Sequence, residues 1–161
     1  ITEHSPSSSH ILHNERNKMI TSCRVHESAV IAAPVERVWA LVRPMTFTWS
    51  SLVASCTMSS GTCADQIGSN HLITYKDGSK WTVRLCEMSD LETFLSYDLV
   101  AAEDPLPVSG AIHTIRLRKI TTSNQTLIEW STDFSSDATA EVIEDSKFKK
   151  HEAFKEIAAA V

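Results

Sequence analysis

The sequence reads AIHTIRLRKI over residues 111–120 and TLIEWSTDF over residues 126–134, and apolar and polar side chains alternate along both stretches. Alternation with a period of two is typical of a β-strand that buries one face. The polar residues 122–125 form a turn between the two strands, and the chain after residue 138 has a helical pattern. Two long strands followed by one terminal helix predict a curved antiparallel sheet that closes over the helix. We expect such a fold to enclose a hollow, so its function is sought inside the molecule.

Shorter elements come first in the chain. Residues 23–31 alternate loosely and predict a first strand, which ends before Pro34. Proline is well suited to the first position of a helix, because the N–H that it lacks would have no partner there. Apolar residues recur with helical spacing over residues 35–42 and, after Pro44, over residues 45–53. Two short helices are therefore predicted after the first strand.

The middle of the chain carries strand signals only. Strands are predicted over residues 55–59, 67–75, 80–88 and 92–100. Asp77-Gly78 is a strong hairpin signal, and Ser136 and Asp137 are expected to cap a last helix over residues 138–161. The predicted fold is α+β, with a seven-stranded curved antiparallel sheet wrapped around a long C-terminal helix.

Composition excludes some classes of function. Of the 161 residues, 42% are hydrophobic and 22% are charged, which is ordinary for one globular domain. The net charge is −5 and the basic residues do not cluster, so no nucleic-acid partner is predicted. The longest apolar run, residues 29–33, is too short to cross a bilayer, so no integral membrane segment is predicted.

The cysteines suggest a reducing compartment. The chain has four of them, at Cys23, Cys56, Cys63 and Cys86. No Cys-x-x-Cys pair and no zinc-ligand spacing with histidine occurs, so neither a metal site nor a cofactor is predicted. Free thiols in the cytoplasm are the preferred interpretation. A Cys56–Cys63 disulfide across a hairpin stays open as an alternative.

The beginning of the chain differs in composition from the rest. Residues 1–18 are rich in serine, histidine and asparagine and show no periodicity. We interpret them as a leader that is disordered, processed or derived from an expression tag. Residues 19–161 are predicted to form a single domain, in which the sheet wraps around the C-terminal helix.

Three short stretches carry a resemblance to a known superfamily. They are APVERVW (residues 33–39), LSY (residues 95–97) and EWS (residues 129–131), the last followed by Phe134. In their order and spacing they resemble the helix-grip superfamily of START and birch-pollen-allergen-like proteins, over roughly residues 22–161. The nearest branch is that of polyketide cyclase/dehydrase-like and lachrymatory-factor-synthase-like proteins. The resemblance implies a deep hydrophobic cavity and a small hydrophobic partner such as a lipid, sterol, hormone or polyketide-like molecule.

The resemblance also implies a catalytic pair that this sequence lacks. Synthase-like members use an arginine on the strand after a glycine and a glutamate on the next strand. Here His71 occupies the arginine position, after Gly68. Arg84 occupies the glutamate position when the strands are aligned on Trp81, and Leu85 occupies it when they are aligned on residues 95–97. The absent pair weighs against that chemistry.

Two histidines are the catalytic candidates. His71 could act as an acid or base or orient a ligand, since the imidazole pKa lies near neutrality. The alternative is a strand histidine bonded at the surface or at the sheet edge. His113 shares a face with Ile115 and Leu117, so it should point toward the core, where a hydrogen-bonded structural histidine is the more common case.

Other candidates concern ligand binding. If the Trp81-Val83-Leu85 face points inward, Arg84 is solvated on the outer face; if Arg84 points inward, it needs an anionic partner such as a ligand carboxylate. Trp130, Thr132 and Phe134 share the face expected to line the core or the cavity. The complete set of predicted ligand-binding residues is His71, Trp81, Arg84, His113, Trp130, Ser146 and Lys150.

The last helix offers a separate clue. Its apolar stripe consists of Ile143, Phe154, Ile157, Ala158 and Val161. Ser146 and Lys150 fall within that stripe, where a dry core would disfavour them and a cavity with a polar end would accommodate them. The alternative is that Lys150 extends its charged end to solvent along its apolar stem.

Three functions follow as hypotheses. The first is binding of a small hydrophobic ligand in an internal cavity. The second is an enzyme of cyclase, dehydrase or isomerase type that uses a cavity histidine as acid or base, and the third is a protein-interaction adaptor with a collapsed cavity. A cavity above about 300 Å³, the lower end for ligand sites, argues against the adaptor.

Overall fold

The computed structural model describes residues 23–161, and these residues contain one seven-stranded antiparallel sheet and two helices. The strands are β1 (Arg24–Ile31), β2 (Val53–Ser60), β3 (Asn70–Tyr75), β4 (Lys80–Ser89), β5 (Phe94–Ala102), β6 (Ala111–Ile120) and β7 (Gln125–Phe134). The helices are α1 (Val35–Val42) and α2 (Ala140–Ala160). The order across the sheet is β1-β7-β6-β5-β4-β3-β2, so the predicted α+β fold class is confirmed.

The two long strands pair along their whole length. The ladder of β6 and β7 runs from Ala111 opposite Phe134 to Ile120 opposite Gln125. Side chains on one face, such as Ile115 of β6 and Ile128 of β7, are almost completely buried. Because successive side chains of a strand point to opposite faces, the period-two pattern of the sequence becomes one core-facing wall.

Helix α2 covers this wall and packs against β1. Four apolar side chains face the sheet, namely Ile143, Ala153, Phe154 and Ile157. Ala158, which the predicted stripe included, is exposed. Lys150 is buried on the sheet-facing side of α2, as its position within the predicted apolar stripe implied.

The prediction of a second short helix over residues 45–53 is wrong. This segment forms turns, and Met45 and Phe47 have φ angles of 53° and 51°. A backbone in this left-handed region cannot continue a right-handed helix. Met45, Phe47 and Trp49 are nevertheless buried, so their apolar spacing marks a loop that packs into the core.

Helix α1 is anchored to the turn between β4 and β5. Trp39 Nε1 donates to Asp90 Oδ1 at 2.9 Å, and Arg43 donates to both Asp90 oxygens at 2.7 Å and 3.0 Å. These donors favour the ionised carboxyl and lower the pKa of Asp90 to about 2, the Arg43 contribution being the largest. The ion pair therefore holds α1 on the sheet over the whole neutral and mildly acidic range.

The predicted cap of the last helix is wrong by a few residues. Thr139 is the N-cap, and its hydroxyl accepts a hydrogen bond from the Val142 N–H at 3.3 Å. Asp137 instead accepts hydrogen bonds from Ser109 and Ser135. Its carboxylate thus joins the loop before β6 to the segment after β7 rather than starting the helix.

We expect Thr139→Ala to lower the free energy of unfolding by about 1 kcal/mol, the usual cost of losing an N-cap hydroxyl. Ser136→Ala is the matched control, because Ser136 is an exposed serine just before the helix and was a predicted cap. Its substitution should change stability by a few tenths of a kcal/mol at most. Urea denaturation of both variants measures the difference, and an equal effect at the two positions would contradict the assignment of the cap.

Residues 1–22 lie outside the described part of the chain. The leader predicted over residues 1–18 and the domain start at residue 19 therefore stay predictions. Among residues 23–161 all four cysteines are free thiols, so the alternative Cys56–Cys63 disulfide is wrong. Neither α1 nor α2 has the combination of length and hydropathy that a bilayer-spanning helix requires.

Candidate ligand-binding cavity

A cavity of about 680 Å³ lies between the concave face of the sheet and α2. Its walls are mostly apolar, and aromatic side chains contribute much of them. The aromatic lining residues are Phe47, Trp49, Tyr75, Trp81, Tyr97, Trp130, Phe134 and Phe148. A volume of this size is in the range of sites for drug-sized ligands.

Aromatic contacts hold the wall in place. The rings of Trp49 and Trp130 meet edge to face at 6.0 Å, and those of Tyr75 and Trp81 at 5.3 Å. Such arrangements are favourable for aromatic pairs beyond the area that they bury. Trp81 lines the cavity from β4 and Trp130 from β7, so the two predicted tryptophans lie on opposite sides of β5 and β6.

The mouth of the cavity lies where the lining residues are exposed. Phe148 of α2 and Leu52 of the loop before β2 are 64% and 56% exposed, and both line the cavity. Close to them, the backbone N–H and the hydroxyl of Ser51 donate to the Glu156 carboxylate. This contact ties the loop to α2 and sets the width of the mouth on that side.

A polar cluster lies in the wall at Lys150. Its Nζ donates to Thr132 Oγ1 and to Ser146 Oγ, each at 2.7 Å. Thr132 Oγ1 is also 2.9 Å from His113 Nδ1. Since the hydroxyl of Thr132 accepts from the ammonium, its own proton is available for His113 Nδ1. When Nδ1 accepts this proton in a hydrogen bond, the neutral His113 ring carries its own proton on Nε2.

Lys150 is an unusual lysine because its side chain is only 4% exposed. Burial lowers its pKa to about 8, and the charge of Glu27 on β1 partly offsets that effect. Within residues 23–161, no carboxylate is within ion-pair distance of its Nζ. The Trp130 ring lies 5.6 Å from the ammonium and provides a cation–π contact. The cluster thus holds a cation with neutral partners only.

His113 is partly buried in the cavity wall. Its ring stacks on Tyr97 at 4.9 Å, with the two planes 13° apart. Burial, and secondarily the charge of Lys150, lowers the pKa of His113 to about 3. The imidazole is therefore neutral at neutral pH. It lines the cavity as a hydrogen-bonding group rather than as a ready proton acceptor.

His71 is buried away from the cavity lining. Its Nε2 lies 2.9 Å from the Ala64 carbonyl oxygen and 3.1 Å from Ser69 Oγ. Burial lowers its pKa, and the bond to Ala64 opposes that shift. These contacts occupy the ring in holding the loop before β3, so its position does not favour a role in the cavity.

Arg84 lies on the outer face of the sheet. It is opposite Asn70 on β3 and Asp98 on β5, and its Nη2 forms an ion pair with Asp98 at 2.5 Å. Leu85 is the inward-facing neighbour and is fully buried. The sequence had left open whether Arg84 or Leu85 occupies the glutamate position of the synthase-like proteins. Of these two residues, the one on the inside of the sheet is the apolar Leu85.

The structure brings five of the seven predicted ligand-binding residues to the cavity. They are Trp81, His113, Trp130, Ser146 and Lys150, whereas His71 and Arg84 lie elsewhere. Sequence reasoning did not include Tyr97 or Thr132 in the site. The alternation of Leu95, Tyr97 and Leu99 along β5 was a usable signal for the tyrosine. The alternation along β7 placed Thr132 on the inward face, but its role in the polar cluster comes from contacts with β6 and α2. Among residues 23–161, no His, Cys, Asp or Glu side chains are grouped so as to hold a metal ion.

Comparison with known proteins agrees with this geometry. A family model described as polyketide cyclase / dehydrase and lipid transport matches residues 22–153. A solved structure from Nitrosospira multiformis is 27% identical with a TM-score of 0.74, covering 84% of this chain and 94% of that one. XoxI from Bacillus cereus is 26% identical with a TM-score of 0.73, covering 86% and 94%. Ara h 8.0201 shares the fold at 17% identity and a TM-score of 0.69, covering 85% and 95%. A search of curated proteins gives no match.

Proposed function

The chain belongs to the polyketide cyclase/dehydrase and lipid transport family of the helix-grip superfamily, and on that premise we propose that it binds a small hydrophobic ligand between its sheet and α2. Lipids, sterols, hormones and polyketide-like molecules are the candidate classes. The observation that carries the proposal is the cavity of about 680 Å³ with its largely apolar wall. An apolar cavity without a ligand lowers the free energy of unfolding, and binding of a hydrophobic molecule would raise it again.

The two alternative functions have less support. An adaptor with a collapsed cavity is not compatible with the volume observed. The acid/base alternative named His71 and His113, but His71 is outside the cavity lining and the pKa of His113 is lowered to about 3. A general base works best when its pKa is near the working pH. Passive binding is therefore the function that we prefer.

We expect the uncharged fluorophore 1-aminoanthracene to bind in the cavity, and Ala153→Trp to weaken that binding at least tenfold. Ala153 is buried on α2 and lines the cavity, so an indole at this position would fill part of the space that the fluorophore needs. A fluorescence titration measures the dissociation constant, because aminoanthracene emission rises in apolar surroundings.

Ala159→Trp is the matched control for that experiment. Ala159 is an exposed alanine on the same helix and is not part of the cavity wall. The control should bind the fluorophore as the wild type does, and circular dichroism checks that both variants fold. A folded Ala153→Trp protein with wild-type affinity would contradict the proposal.

A cytoplasmic location is also proposed. Its support is the state of the four cysteines, which are all free thiols, as is usual in a reducing compartment. Fractionation of the source cells would test it, and recovery in a secreted fraction would contradict it.

A further inference from the structure

The unusual feature of the cavity is a cation that has no anion. Lys150 is buried in the wall, and its ammonium group has three N–H donors. Two of them bond to the neutral hydroxyls of Thr132 and Ser146. Among residues 23–161, no partner accepts the third. A buried ammonium with neutral partners only is costly, since its desolvation is not compensated by an opposite charge.

The acidic group that acts on Lys150 is already engaged. Glu27 of β1 influences Lys150 through its charge. Its carboxylate is 2.8 Å from His151 Nε2, on the helix turn next to Lys150, and forms no ion pair with Lys150. Glu27 therefore favours the charged form of Lys150 from a distance but forms no direct ion pair with it.

The groups around Lys150 also have an excess of donors. His113 carries its proton on Nε2 when its Nδ1 accepts the hydrogen bond from the Thr132 hydroxyl. The indole N–H of Trp130 is buried and has no acceptor among the described residues. Unpaired donors and one cation are complementary to a group that has several acceptor oxygens and a negative charge. A carboxylate meets both requirements.

We propose that the ligand is a hydrophobic carboxylic acid, bound with its carboxylate at Lys150 and its apolar part along the aromatic wall. This inference rests on the proposed function and specifies its substrate class. The wall extends from Trp130 on β7 to Trp81 and Tyr75 on β4 and β3, so it offers apolar surface well beyond the cluster. A carboxylate bound at Lys150 would counter the lowering of its pKa by burial, because an opposite charge favours the ammonium form.

The test compares two fluorescent molecules that differ in one group, anthracene-2-carboxylic acid and 2-(hydroxymethyl)anthracene. The full chain is titrated with each at pH 7. We expect the acid to bind with a dissociation constant at least tenfold lower than that of the alcohol. Lys150→Met should remove this preference by weakening the acid alone, while the affinity for the alcohol stays within twofold.

Lys155→Met is the matched control, because Lys155 is an exposed lysine of α2 that lies outside the cavity lining and is paired with Glu152. It should keep the preference for the acid. Lys150→Gln gives a second neutral variant should Lys150→Met not fold. Equal affinity of the wild type for acid and alcohol would overturn the inference and leave the proposed function standing. Absence of binding by 1-aminoanthracene and by both anthracenes would overturn the proposed function itself.

Discussion

Lys150→Met is expected to stabilise the ligand-free protein by about 2 kcal/mol at pH 7, which would raise the melting temperature by roughly 4–8 °C. Burial lowers the pKa of Lys150 from 10.5 to about 8. Holding the ammonium at neutral pH therefore costs about 3 kcal/mol relative to the neutral amine. Methionine has a similar length and no charge, and the loss of the bonds to Thr132 and Ser146 offsets part of the gain.

The pH dependence of this gain gives a second check. The folded-state pKa of Lys150 lies below the unfolded value, so the unfolded state binds more protons between about pH 8 and pH 10.5. Wild-type stability from this group therefore rises with pH across that window. The advantage of Lys150→Met should be largest at pH 7 and smaller at pH 9.5.

Urea denaturation at the two pH values measures the effect, with Lys149→Met as the exposed control of nearly unchanged stability. A Lys150→Met protein less stable than the wild type at pH 7 would show that the ammonium is a net stabilising group. Greater stability of Lys150→Met, which we expect, would instead mean that Lys150 destabilises the folded wild-type protein. Such a cost is common where a residue serves function.

His113→Gln should make the protein less sensitive to acid. The pKa of His113 is about 3 in the folded protein and 6.5 in a model peptide. The unfolded state binds more protons between these values, so stability from this group is complete above pH 6.5 and is lost as pH falls toward 3. Between pH 7 and pH 4 the loss from His113 alone is roughly 3 kcal/mol.

Glutamine does not titrate in this range, and its amide can still bond to Thr132. We expect the variant to be less stable than the wild type at pH 7, because it loses the stack on Tyr97. The difference should shrink or reverse at pH 4. His26→Gln is the matched control, since His26 is an exposed histidine on β1.

The measurement is the free energy of unfolding at pH 7 and pH 4 for the wild type and both variants. Other groups titrate in this window, and the comparison with His113→Gln removes their common contribution. If the wild type and His113→Gln lose the same free energy over the range, then His113 is not the buried neutral group that its surroundings imply.

Several site residues could be placed from their local pattern. Lys150 and Ser146 interrupt an apolar helical stripe, and this alone indicated a polar end of a cavity. Trp81, His113 and Trp130 lie on faces that the strand alternation assigned to the inside. The outward position of Arg84 was undecided, because a bulge at residues 85–87 and two competing alignments left the register of β4 open.

Other features needed contacts between distant parts of the chain. The polar cluster joins His113 of β6, Thr132 of β7 and Lys150 of α2, and no spacing rule connects these positions. The loop over residues 45–52 has helical apolar spacing, yet Met45, Phe47 and Trp49 are buried through turns, with positive φ at Met45 and Phe47. Packing against the core outweighed local pattern there, as tertiary context often does.

Local patterns in the sequence were enough to locate the seven strands, to place helices α1 and α2, and to assign the buried faces of β6 and β7. These features depend on periodicity and turn residues within short stretches, where neighbours along the chain are also neighbours in space. Three other properties follow only from tertiary packing: the volume of the cavity, the isolation of His71 from it, and the lack of an ion-pair partner for Lys150 among residues 23–161. Those properties depend on how far the sheet curves and where α2 lies across it. Both are set by packing between residues that are far apart in the chain.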